Sequence, residues 1–158
     1  MSRKQILAAL LAVLMAAAVS PNLAGTLAKH GNDHKPALHR ADCAQVATAT
    51  DNLGFAILEF DEDMDLQIEV ALKHGMPNTE YRAFVLTAPC NVVFIDNILS
   101  TNKKGKGNVH IMVPESMIPA GSQVAVQLVS PPGATVPGPG PFTDVITSDF
   151  VVPPKSDD

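Results

Sequence analysis

The sequence predicts an all-β protein, an antiparallel immunoglobulin-like β-sandwich of about seven strands preceded by a cleaved signal-peptide helix. Three observations predict it. From Asn52 onward, short apolar runs are separated by clusters of turn residues. Several of these runs alternate apolar and polar side chains with the period of a half-buried strand. Ahead of them stands a basic and then apolar leader that belongs to export and not to the fold.

In that leader, Arg3 and Lys4 precede an unbroken apolar run from Ile6 to Val19, and no charge follows until Lys29. The run is shorter than the roughly 20 residues of a spanning helix, so a signal peptide over residues 1–28 is the expectation, with cleavage leaving a start between Gly25 and Lys29. No cysteine precedes Cys43 to carry a lipid, and Val151–Asp158 is no hydrophobic sorting tail. The expected product is secreted or periplasmic, with no stable membrane insertion once the leader is removed. The formal net charge of −5 becomes more negative when Arg3 and Lys4 leave, which argues against nucleic acid or anionic lipid as partners. With no Trp and a single Tyr, Tyr81, stacking platforms for sugars or bases are scarce.

Residues 29–50 read as a polar, His-bearing lead-in, 51–153 as the sandwich domain and 154–158 as a polar tail. Leu66–Leu72 is the clearest strand, with Leu, Ile, Val and Leu on one face and Gln, Glu and Ala on the other. Val109, Ile111 and Val113 repeat the pattern, as do Val124, Val126 and Leu128, and then Ile146, Phe150 and Val152. Phe55–Phe60, Arg82–Thr87 and Val92–Leu99 are apolar on both faces, as central strands are. Asp61–Asp63, Gly75–Asn78, Asn102–Gly105 and Pro119–Gly121 supply the turns. A small closed barrel has the same sequence pattern and differs in strand tilt. Pro131, Pro132, Pro137, Pro139 and Pro141 preclude a ladder between Ser130 and Phe142, which is read as a long connection or a projecting binding loop.

The two cysteines of an exported chain, Cys43 and Cys90, predict one disulfide, worth roughly 4 kcal/mol in the chain-entropy account. His30, His34 and His39 form a candidate zinc or copper set in the lead-in, which otherwise is a solvated segment. Asp61, Asp63 and Asp65 alternate like the first ligands of a calcium loop. Leu66 and Leu72, however, occupy positions where an EF-hand needs Gly and Glu, so an acidic turn fits better. Lys103, Lys104 and Lys106 make a basic tip that discourages edge pairing. No nucleophile elbow, zincin, P-loop or dinucleotide fingerprint occurs, and His74 and His110 are too few for a copper–zinc dismutase centre.

Gly54-x-Ala56-x-Leu58, Pro77-Asn78-Thr79-x-Tyr81, Cys90 and Leu99-x-Thr101-Asn102-x-x-Gly105-x-Gly107 together resemble a pattern in a family of uncharacterised exported bacterial proteins with a single immunoglobulin-like β-sandwich domain. The resemblance implies fold and export; it implies no catalytic residues and no cofactor. The expectation is therefore a non-enzymatic exported protein with a binding or structural role toward an unidentified extracellular or periplasmic partner. The alternative is a weak zinc or copper module using the N-terminal histidines.

Overall fold

The computed structural model describes residues 35–63, 65–131 and 144–154. The leader, His30, His34, Pro132, Pro137, Pro139, Pro141 and the end of the tail lie outside the described residues. Among the described residues there are eight strands: β1 (Ala37–His39), β2 (Gly54–Phe60), β3 (Leu66–Leu72), β4 (Glu80–Thr87), β5 (Asn91–Ser100), β6 (Gly107–Val113), β7 (Val124–Ser130) and β8 (Asp144–Ser148). They form one sheet in the order β5-β4-β7-β8-β1-β2-β3-β6, and every neighbouring pair is antiparallel.

The sheet curls until its two ends, β5 and β6, lie side by side. Across this seam the Asn97 side chain donates to the His110 carbonyl at 3.3 Å. The all-β, antiparallel expectation holds, but the arrangement is barrel-like and not a clear pair of sheets with seven strands. The physical reason is β1. Leu38 pairs with both Gly54 and Ser148, so three residues stitch β2 to β8. A strand this short shows no period, and it falls within the stretch that reads as polar lead-in.

Core packing follows the alternation in the sequence. Leu66, Ile68, Val70 and Leu72 of β3 are buried inside with Val109, Ile111 and Val113 of β6 and Ala56, Leu58 and Phe60 of β2. Tyr81, Ala83 and Val85 of β4 meet Val124, Val126 and Leu128 of β7 and Ile146 of β8. Two strands differ from expectation. β5 is an edge and not a central strand, so Ile95 and Ile98 are exposed on the face away from the core. β8 ends at Ser148, although even spacing continues to Phe150 and Val152; Phe150 packs in a second cluster, and Val151 bridges Val124 instead.

At one end of the barrel, the connections β3–β4 and β5–β6 interlock. The Thr79 amide donates to Thr101 Oγ1 (2.9 Å), the Thr101 hydroxyl donates to the Met76 carbonyl (2.6 Å), and the Gly75 amide donates to the Gly105 carbonyl (2.9 Å). Gly105 has φ +71°, and a methyl group there would run into the backbone carbonyl of Gly75. Gly121 has a similar φ, +73°, with open space around it. Gly121→Ala should cost about 1 kcal/mol, the conformational term alone. Gly105→Ala should cost about 2 kcal/mol or more because a backbone clash is added. Urea midpoints of the two variants measure the difference.

Candidate functional site

The end of the barrel that carries these interlocked connections also gathers the buried ionisable groups. In β8, Ile146 points into the core, so Asp144, two residues earlier, points the same way at the rim. Asp144 is only 5 % exposed. Burying a charge there is costly unless donors surround it. Tyr81, the first inward residue of β4, supplies one: its hydroxyl donates to Asp144 Oδ2 at 2.7 Å. Arg40, just beyond β1, supplies the other through Nε to Oδ1 at 2.9 Å. The chain of bonds continues outward, because the Met76 amide donates to the Tyr81 hydroxyl at 2.9 Å. Three segments distant in sequence thus meet at one carboxylate.

Electrostatics follows the geometry. Burial first, and then the hydrogen bond to Asp144, push the Tyr81 phenol up to about 12. The Asp144 hydrogen bond holds Arg40 more firmly in its charged form. A phenol kept neutral and a carboxylate occupied by two donors position strands and can orient Arg40, whose side chain is half exposed. The Tyr81 phenol stays protonated at neutral pH.

Beside this cluster, His39 lies buried on the opposite face of β1. Its Nδ1 bonds to the Asp51 carbonyl and lies 3.6 Å from Asp51 Oδ1, while Nε2 lies 3.2 Å from Asp149 Oδ1. Of the candidate metal histidines it is the one described, and both of its ring nitrogens face protein oxygens. In the acidic turn, Asp61 accepts from the Asp65 amide and from Gln67 Nε2, both at 2.9 Å. The Gln67 bond, with help from the Asp65 and Asp63 amides, holds the Asp61 carboxyl below its usual range. Asp63 is exposed and Asp65 half-buried. Among the described residues no group of three or more His, Cys, Asp or Glu side chains is placed to hold a metal. His74 and His110 are exposed on different connections and strands, and Pro131 is exposed where the Pro-rich stretch leaves β7.

Cys43 and Cys90 form the expected disulfide. No described helix is long and apolar enough to cross a membrane. In the sequence Tyr81 stands out as the lone tyrosine and as the end of the Pro77-Asn78-Thr79-x-Tyr81 motif, whereas Arg40 and Asp144 do not stand out. One signal was available: Asp144 has the parity of Ile146 and Ser148, and a charged residue at a core parity asks for partners.

Because Tyr81 is the single tyrosine and Trp is absent, the tyrosinate absorbance reads this site alone. Ionisation should appear near pH 12 in the folded protein, against 10.0 for the free group. With the folded value raised, the unfolded chain loses its proton first. Stability should therefore be indifferent to Tyr81 below pH about 10 and fall as pH rises toward 12. Tyr81→Phe should abolish that slope and cost about 2 kcal/mol at neutral pH, the value of a bond to a charged acceptor.

Comparison of the chain with known protein families, curated proteins and solved structures finds no match in any of the three.

Proposed function

We propose that the protein is an exported, non-enzymatic antiparallel β module that binds a partner or supports a structure outside the cytoplasm, using the outer face along β5 and β6. The observation that carries this reading is the apolar strip there. Ile95 is 53 % exposed, Ile98 and Met112 are nearly as open, and the Asn97–His110 bond brings their strands together. Exposed branched side chains on adjoining strand edges are a common footing for another chain. By contrast, no buried side-chain nitrogen or oxygen among the described residues lacks a hydrogen-bond partner, so the interior polar groups serve the fold.

Export is supported by the leader pattern together with the Cys43–Cys90 disulfide, a bond that persists in oxidising compartments. The immunoglobulin-like reading is supported by strand order. β5-β4-β7-β8 and β2-β3-β6 are two groups joined through the short β1, with β3–β4, β5–β6 and β6–β7 connecting one group to the other.

A photo-activated cross-linker placed at Ile95 should give a discrete adduct in cells, whereas the same probe at Glu59 on β2 should not. Thiol trapping of intact cells should find both cysteines blocked as a disulfide. Equal adducts at both positions, or turnover of ester, peptide or glycoside substrates by the purified mature chain, would overturn the reading.

A further inference from the structure

We infer that residues 42–50, seated through Cys43, form a redox-released cover at an apolar patch on the outside of the barrel. The outer face of a one-layer barrel ordinarily meets water, yet here part of it is buried. Phe84 and Leu86 of β4 and Val129 of β7 are at most 2 % exposed and pack with Val145, Phe150, Val92 and Cys43. These residues have the parity opposite to the core set, so they point outward. On the same face, Gln127 and Thr147 are also buried; Gln127 Nε2 donates to Thr147 Oγ1 (3.1 Å), which donates to the Ala41 carbonyl (2.7 Å).

The segment that reaches this face is the β1–β2 connection. Its ends are drawn together: the Arg40 amide donates to Asp51 Oδ2 (2.9 Å), and the Leu53 amide donates to the Leu38 carbonyl (2.7 Å). That is the construction of an Ω-loop, closed at its neck and laid on a surface. Inside it, Asp42 Oδ1 accepts the Ala44 and Gln45 amides, and Val46–Thr48 forms a single 3-10 turn. The middle of the loop is fastened across the patch by Cys43–Cys90, which reaches the far end of β4.

Two features make this bond a latch and not a keystone. No residue of 40–51 belongs to the main core cluster, and none pairs in a strand ladder. The core therefore keeps its contacts when residues 42–50 lift, while Arg40 stays on Asp144 at the neck of the loop. Both cysteines are also only half-buried, so a thiolate can reach their sulfur atoms. The reductant is a dithiol. One of its thiolates attacks a sulfur of the Cys43–Cys90 bond and forms a mixed disulfide. Its second thiol then displaces that sulfur, leaving Cys43 and Cys90 as thiols and the dithiol oxidised to its own disulfide. Two electrons and two protons pass to the protein, and oxidation reverses them.

Hydrogen exchange on the full mature chain, oxidised and then treated with dithiothreitol, tests the latch. Exchange over residues 42–50 should quicken on the order of tenfold or more, while β2, β3 and β6 keep their protection. Anilinonaphthalene sulfonate fluorescence should rise on reduction and return on re-oxidation. The Cys43→Ala, Cys90→Ala double variant should bind the dye without reductant, and adding Phe84→Ser should diminish that signal. Loss of protection in every strand on reduction would show that the bond holds the whole fold and would overturn the inference. Unchanged exchange over 42–50 with no dye binding would overturn it as well, since the loop would then be seated by its neck alone.

Discussion

Asp144 places a carboxyl group at the inner rim of an apolar barrel, and the chain arranges itself so that its oxygens have partners. Tyr81 closes one oxygen and Arg40 the other, which fixes β4, β8 and the exit of β1 relative to one another. Hydrogen bonds to a buried charge are stronger than neutral ones, and losing one partner leaves the remainder exposed to the full desolvation cost. The cluster therefore acts as a registration point. A slip of β8 by one residue would turn Asp144 outward and put Val145 at the rim.

From that point the rest of the architecture can be followed outward. The Met76 amide leans on the Tyr81 hydroxyl, and Thr101 ties Met76 and Thr79 to the β5–β6 connection. On the other side, Arg40 leads directly into the loop whose Cys43 packs in the cluster of Phe84, Leu86 and Val129. One residue thus marks the boundary between a core that holds by apolar packing and an outer layer that is held by a disulfide. The apolar strip of Ile95, Ile98 and Met112 belongs to neither the rim cluster nor the outer patch, although its strands close the barrel and Val92 of β5 packs in that patch.

Much of this was legible in the sequence, unevenly and for physical reasons. Leu66–Leu72 and Val109–Val113 read directly as strands because one face is wet and the other dry, so the period of two survives in the letters. β7 read as half-buried from Val124, Val126 and Leu128, yet it is buried on both faces because Cys43, Val145 and Phe150 pack in the cluster of Val129 and Thr147 bonds Gln127. β5 read as central from its apolar run, yet it stands at an edge where Ile95 and Ile98 meet solvent. Composition records what a strand could bury and not what is placed against it. The motif from Pro77 to Tyr81 and from Leu99 to Gly107 proved to be the two interlocked connections, a contact that spacing along the chain does not reveal.

What the sequence determined by itself is local: strand period, turn positions and the pairing of two cysteines that have no other partner. Those depend on neighbours one to four residues away, or on there being a single choice. The tertiary structure alone decided that three residues of the lead-in stitch the sheet into a barrel. It also decided that Asp144 has Tyr81 and Arg40 as partners, and that part of the outer face is covered. Each of those is a meeting of segments tens of residues apart, and the free energy of such a meeting belongs to burial and charge pairing, which no local pattern encodes.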